Sequence, residues 1–346
     1  MMAGETAREV RLTIRPEGLP GPQHFELVDE PLPVAGAGEV LVRNRCFLVS
    51  ASLRQMVSQG AEDVPGVPFP ALRPGDGLRG EAIGEVVMAP TSSGLSPGDM
   101  VLHMFGWRDY AVVPAVQCLR LAAPLPDPLG YLGYLGHGWT AHAALTRGVQ
   151  IRAGDTVFIS SAAGAIGSMA GQIARLLGAG RVIGSTSASA KADRLVAELG
   201  YDAAVIRGTD KSFVAQLREA APDGIDVFLD NVGGEQLQAA VAVAREHARF
   251  VITGTLSGQL AAAGTGRVAP VVLDSTQILL RKITIRGYSA DDNPEARDEW
   301  FRRLADWCRS GDIALPHVVI DGLEQATLAL ADTARGRYFG MVVIRL

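Results

Sequence analysis

Cysteine is scarce in this 346-residue chain: Cys46, Cys118 and Cys308 stand far apart and form no CxxC pair. That scarcity argues against a disulfide framework or a thiolate metal site, and it fits a reducing cytoplasm in which the thiols stay free. No apolar run approaches the ~18–20 residues needed to span a bilayer. The opening MMAGETAREV carries Glu5 and Glu9 where a signal peptide needs an apolar core. A basic excess is missing too: 32 Lys and Arg against 37 Asp and Glu leave a formal net charge of −5. That balance argues against nucleic acid or an anionic membrane as partner. Repeats and low-complexity tracts are absent. What is present is 48% hydrophobic and 20% charged residues, the composition of a soluble globular protein with a large core. The length exceeds one typical domain, so two are expected.

The two halves read differently. Short β-type runs (Val10–Ile14, Phe25–Val28, Val40–Val42, Ile83–Val87, Met100–Leu102, Tyr110–Val113) are separated by Pro/Gly clusters, which predicts a compact, partly barrel-like β domain. A helical stretch from Leu129 to Arg147 follows. Six β runs (Val157–Ser160, Val182–Gly184, Ala204–Ile206, Val227–Asp230, Phe250–Thr253, Ile283–Arg286) then alternate with helical patterns, among them Ala190–Leu199, Ser212–Ala220 and Glu235–Ala244. That alternation predicts a doubly wound parallel sheet. Residues 294–311 form an amphipathic helix between Pro294 and Gly311, and the last 30 or so residues return to short strands ending at Ile344. The expected division is residues 1–128 with 315–346, and 129–314.

The stretch with most chemical content is TVFISSAAGAIGSMAGQIARLLGAGRVIGSTSA, residues 156–188. An apolar β run stops at Ser160-Ser161, a small-residue turn from Ala162 to Gly167 opens a helix through Ile173, Leu176 and Leu177, and a second β run begins at Val182. Strand, glycine turn, helix, strand is half of a dinucleotide-binding βαβ unit. Gly164 and Gly167 let a pyrophosphate approach the backbone N–H groups of Gly164, Ala165, Ile166 and Gly167, at the positive end of a helix. The bland alternative is an ordinary tight turn.

Taken together, Gly106-Trp107-Arg108-Asp109-Tyr110, Trp139-Thr140-Ala141, Ser161 to Gly167 and Asp230-Asn231-Val232-Gly233-Gly234 resemble the zinc-independent branch of the medium-chain dehydrogenase/reductase superfamily. Within it the chain is most similar to the prostaglandin/leukotriene reductase-like alkenal and enone double-bond reductases. The resemblance implies an α/β architecture: a GroES-like β-barrel catalytic domain plus a Rossmann doubly wound parallel sheet, with the active site in the cleft between them. It also implies a homodimer joined through the Rossmann sheets, for which the Lys282–Tyr288 strand is an apolar edge needing cover. Zinc-dependent relatives carry a Gly-His-Glu ligand motif. Here Arg79-Gly80-Glu81 puts glycine where the histidine would be, and about four converging ligands are not supplied, so no metal is expected and Glu81 reads as structural or cleft-facing.

An NAD site usually ends its second strand in Asp or Glu for the ribose hydroxyls. From Val182 to Lys191 there is no carboxylate. Ser187 and Lys191 instead suit a dianionic 2′-phosphate, and Arg207 follows the third strand, so NADP(H) is the expected cofactor. Read singly, Ser187 or Ser189 serves equally as a helix N-cap, and Lys191 and Arg207 as solvated charges. Thr140 matches a family threonine lying against the nicotinamide. Asn231, Gly254, Leu256 and Tyr288 sit at strand carboxyl ends, where doubly wound folds bind ligands; for Asn231 a turn-stabilising role is the alternative.

The implied reaction is hydride transfer from NADPH to the β carbon of a C=C bond conjugated to a carbonyl, in a small apolar substrate. The developing enolate needs a hydrogen-bond donor and then a proton. The family tyrosines placed for this are missing: Asp-Pro-Tyr-Met-Arg reads Ser50-Ala51-Ser52-Leu53-Arg54, Ser-x-Tyr-Asn reads Ser257-Gly258-Gln259-Leu260, the Thr-Ala-Tyr tyrosine is His142, and Asn-x-Gly-Lys reads Tyr338-Phe339-Gly340-Met341. The candidate donors are His142, Tyr288, Tyr134 and His137. An isolated histidine is more often a core residue, strand-end tyrosines often only pack, and the cofactor ribose hydroxyl is a further source. Trp107 and Trp139 line an apolar pocket or belong to the core. A quinone reductase, or a family member with lost or non-redox chemistry, remains the alternative.

Overall fold

The computed structural model describes residues 6–59, 61, 71–121, 128–262, 266 and 268–346. The chain forms two compact units, one from the described residues of Met1–Gly133, Leu260–Arg267 and His317–Leu346, the other from Tyr134–Gln259 and Val268–Pro316. The segment after Gln259 joins the first unit because the buried Arg54 donates through Nη1 to the Ala261 carbonyl at 2.7 Å. Gly18 also leaves room for the Ala262 carbonyl, which would stand 2.5 Å from a Cβ there.

In the first unit, β1 (Thr6–Leu12) and β2 (Phe25–Pro31) form an antiparallel hairpin. The chain continues through β3 (Glu39–Leu48), the short α1 (Leu53–Val57), β4 (Ala82–Met88), β5 (Met100–His103), β6 (Tyr110–Pro114) and β7 (Leu119–Arg120). Next comes α2 (Pro128–Ala143), which runs into a π turn over Ala144–Gly148.

The second unit begins its sheet with β8 (Thr156–Ile159), α3 (Ala165–Leu176), β9 (Arg181–Thr186), α4 (Ser189–Leu199), β10 (Ala203–Ile206), α5 (Phe213–Ala220), β11 (Ile225–Asp230), α6 (Gly234–Val243) and β12 (Ala244–Ile252). It closes with α7 (Leu256–Gln259), α8 (Ser275–Arg281), β13 (Thr284–Gly287) and α9 (Glu295–Ser310). The sheet order is β10-β9-β8-β11-β12-β13 with every neighbouring pair parallel. This is the doubly wound order, whose direction reverses between β8 and β11 and which binds ligands outside the strand carboxyl ends at that reversal. Both faces of the central strands are covered, so Val157, Phe158 and Ile159 are all fully buried rather than alternating. Phe158 stacks on Phe228 at 4.7 Å between ring centroids, and Phe228 meets Phe250 edge-on at 5.5 Å.

The chain returns to the first unit with β14 (His317–Asp321), α10 (Ala326–Ala334) and β15 (Met341–Arg345). Its larger sheet runs β14-β15-β3-β4-β5-β7, with β6 on β3. The tail expected as strands alone therefore contains a helix. Ala326, Ala329, Leu330 and Ala334 recur at helical spacing and are buried, the first three in the same core cluster as Phe47, Leu53 and Trp107.

Candidate functional site

The carboxyl ends of β8, β11 and β12 are tied together by polar groups. Ser160 Oγ donates to Asp230 Oδ1 at 2.9 Å and accepts the Asn231 N–H at 2.7 Å, while Asn231 Nδ2 donates to the Ser160 carbonyl at 2.8 Å. Asp230 Oδ1 also accepts the N–H groups of Val232 (2.9 Å) and Gly233 (2.8 Å). Thr253 Oγ1 donates to Asn231 Oδ1 at 3.0 Å. Burial pushes the Asp230 carboxyl pKa up, opposed by those hydrogen bonds. Asn231 thus holds the turn, and its side-chain groups are spent within the protein. Ser160 and Asp230 carry this arrangement although no sequence signal beyond the Asp-Asn-Val-Gly-Gly motif marks them.

From Ser160 the chain turns sharply. Ser161 takes a left-handed φ of 53°, its carbonyl accepts the Gly164 N–H at 3.0 Å, and its own N–H donates to Ser185 Oγ on β9 at 3.0 Å. The N-cap of α3 is Gly164, with no side-chain cap, so the first-turn N–H groups of Ala165, Ile166 and Gly167 have no capping side chain. Gly167 allows the helix to lie against the strand end: a Cβ would stand 2.3 Å from the Ser161 carbonyl oxygen and 2.5 Å from Ala162 Cα. Its carbonyl accepts the buried Tyr201 hydroxyl at 2.6 Å, and Tyr201 fits only because Gly171 and Gly184 lack side chains. Gly254 also packs against backbone, its missing Cβ 2.9 Å from the Asn231 carbonyl oxygen, and the Leu256 N–H donates to that carbonyl at 3.0 Å.

At the end of β9, Ser185 is buried and no acid follows; Ser187 is exposed and Lys191 half-buried in the first turn of α4. The cap of α4 is Ala188, without a side-chain bond, so neither Ser187 nor Ser189 is the N-cap. Burial and the nearby Arg194 lower the Lys191 ammonium pKa. The Arg207 N–H donates to the Thr186 carbonyl at 2.9 Å, which sets the exposed Arg207 beside the end of β9. The uncapped helix start, the close backbone approach and the acid-free, hydroxyl- and ammonium-bearing strand end fit a dinucleotide with a 2′-phosphate.

The catalytic candidates fall elsewhere. His142 is 0% exposed, its ring 5.7 Å from that of Trp300 and its Nε2 3.8 Å from Glu299, and burial pushes its pKa down to about 4. Tyr134 is equally enclosed, its hydroxyl donating to the Pro316 carbonyl at 2.5 Å. Both placements are core positions and do not suit a proton donor. Tyr288 follows β13 with its hydroxyl 2.9 Å from Asn293 Oδ1 and its N–H on the Ile252 carbonyl. Thr140 donates back to the Gly136 carbonyl at 3.2 Å within α2. His137 and Trp139 are half-buried on that helix, and Arg297 lies over the Trp139 ring at 5.8 Å. Trp107 is a core residue, 5.1 Å from the Phe47 ring.

The comparisons identify the lineage. The family described as N-terminal domain of oxidoreductase matches residues 8–121, and the family described as zinc-binding dehydrogenase matches residues 165–309. Prostaglandin reductase 1 of Bos taurus is 30% identical over 335 residues, 95% of each chain. The chain belongs to the zinc-independent branch of the medium-chain dehydrogenase/reductase family. The NADPH-dependent curcumin reductase of Escherichia coli is 29% identical over 337 residues, 97% of this chain and 95% of that one. The structure of CurA from Vibrio vulnificus in complex with NADPH superposes with a TM-score of 0.86 at 27% identity, covering 98% of both chains. The two units are accordingly the GroES-like and Rossmann domains of that family. The zinc of the second family's description has no fit here. Gly80 occupies the histidine-ligand position, a Cβ there would stand 3.2 Å from Trp107 Nε1, and among the described residues no three His, Cys, Asp or Glu side chains gather.

Proposed function

We propose that this NADP-dependent oxidoreductase reduces a carbon–carbon double bond conjugated to a carbonyl in a small apolar substrate, without a metal. The reading rests chiefly on the Rossmann strand ends, where an uncapped glycine-turn helix start faces an acid-free second strand. It is supported by relatives named as reductases of prostaglandin and curcumin along nearly the whole chain. The first-turn N–H groups of Ala165, Ile166 and Gly167 receive the pyrophosphate, and Gly164, whose own N–H is held by Ser161, allows its close approach. Ser187, Lys191 and Arg207 receive the 2′-phosphate. Thr140, Asn231, Gly254, Leu256 and Tyr288 frame the nicotinamide end. When bound, NADPH supplies the hydride. With His142 and Tyr134 fully enclosed, Tyr288, whose hydroxyl would have to leave Asn293, and the half-buried His137 are the side chains retained as donors to the substrate oxygen. The test is NADPH oxidation at 340 nm against alkenals, enones and quinones. Turnover of enones or alkenals is expected; tight NADPH binding with no turnover, or turnover of quinones alone, overturns the reading.

The same proposal includes a cytoplasmic homodimer. The edge strand β13 is largely exposed, and beside it on α8 Leu279 and Leu280 are 74% and 67% exposed, an apolar patch that a second Rossmann sheet would cover. Light scattering is expected to give a dimer for the parent and a monomer after Leu279→Glu with Leu280→Glu.

A further inference from the structure

A cavity of about 500 Å³ lies within the first unit, between the β1–β2 hairpin and the Asp76–Arg79 and Phe105–Val112 segments. That volume is in the range of small-molecule sites. Four arginines line it, and three are already engaged. Arg8 pairs with Asp109 at 2.9 Å, Arg11 with Glu9 at 2.6 Å and Glu30 at 2.8 Å, and Arg108 with Glu9 at 2.8 Å and with the Leu78 and Gly106 carbonyls. The lining acids are engaged as well. Glu9 bridges two arginines, Glu30 holds Arg11, and Asp76 accepts the Arg73 N–H at 2.8 Å. Arg79 is the exception. Its guanidinium lies 5.0 Å above the Phe105 ring centroid, and among the described residues it has no carboxylate partner.

Stacking on a ring leaves the edge of a guanidinium, with its N–H donors, open for a planar anion. Burial holds the Arg108 pKa below its ordinary value, with Glu9 opposing and Arg79 and Arg11 adding to the shift, and burial together with Arg108 pushes His103 down to about 4. Phe105 lies against the exposed Arg79, and Pro31, Pro33, Leu72 and Val112 give apolar patches elsewhere in a lining that is otherwise polar. We infer that this cavity is a binding site for a carboxylate carried on a compact apolar body, with Arg79 taking the carboxylate in a bidentate pair and Phe105 holding the guanidinium in place. The site is separate from the dinucleotide site and independent of the hydride-transfer reading.

The test is isothermal titration of the full chain saturated with NADPH, which fills the 2′-phosphate site, using 3-phenylpropionate, its neutral amide and inorganic phosphate. Binding of the carboxylate is expected at one per chain, at least tenfold tighter than the amide and than phosphate. Arg79→Gln, with an unchanged melting temperature, is expected to weaken the carboxylate at least tenfold, and Val112→Trp, which fills the cavity, to abolish its binding. Equal binding of the amide, or undiminished binding after either substitution in a folded protein, overturns the site. Binding of phosphate as tightly as the carboxylate also overturns it, because that marks a general anion patch. Failure of all three probes to bind overturns it outright, whatever the outcome of the enone assay.

Discussion

Gly167→Ala tests the nucleotide site with one methyl group. The added carbon would meet only backbone, 2.3 Å from the Ser161 carbonyl oxygen, 2.5 Å from Ala162 Cα and 2.9 Å from Ala162 C. No side chain can swing aside, so the start of α3 and the end of β8 must separate by about 1 Å to restore ordinary contact. Overpacking of this kind costs about 1–3 kcal/mol, a fall of roughly 2–10 °C in melting temperature for a domain of this size. In the proposed function the displaced atoms are also the ones that receive the pyrophosphate. Losing one charge-assisted hydrogen bond there costs about 1.5–3 kcal/mol, or roughly ten- to hundredfold in affinity. The assays are a thermal melt and a titration of NADPH fluorescence. Gly287→Ala is the stability control, since a Cβ there meets nothing within 4 Å. If Gly167→Ala melts with the parent and binds NADPH within twofold of it, the close approach of α3 does not shape the nucleotide site.

Lys191→Ala should weaken NADPH about tenfold while leaving NADH unchanged in the same titration, one lost charge-assisted contact to the 2′-phosphate; equal parent affinities for the two cofactors would contradict the assignment. Burial pushes the His142 pKa in the fold down to about 4 from an ordinary 6.5. The native ring stays neutral while the unfolded one charges, so stability present above pH 6.5 is lost as pH falls toward 4, by up to about 3 kcal/mol. His142→Leu should flatten that acid limb in pH-dependent melts and keep kcat at pH 7 within about threefold; a hundredfold loss in the folded variant would restore His142 as a catalytic residue. Trp300→Phe removes the 2.7 Å bond from Nε1 to the buried Tyr134 carbonyl. It should cost about 1–3 kcal/mol in denaturant unfolding and leave the KM for NADPH unchanged.

The βαβ unit and the choice of NADP as cofactor are legible because their signals are local. Gly164, Gly167 and the acid-free run after Val182 follow one another within a single βαβ unit, and the six alternating β runs define the parallel sheet by their period alone. The tail helix Ala326–Ala334 is not legible because alanine carries a weak apolar signal until it packs into the cluster that also holds Phe47 and Trp107. The fate of His142 was illegible for a different reason. Its burial depends on Trp300, which lies 158 positions further along the chain and packs its ring where any side chain on Gly138 would stand.

The sequence by itself determined the two-part organisation, the glycine turn, the preference for a phosphorylated ribose and the lack of a zinc-ligand histidine, all properties of residue type and short-range spacing. Only the tertiary structure decided that Ser160, Asp230 and Asn231 knit three strand ends together, that two catalytic candidates are core residues, and that among the described residues Arg79 alone of four cavity arginines has no carboxylate partner. Those outcomes depend on which distant groups arrive to desolvate or neutralise a side chain, and residue spacing carries no record of that.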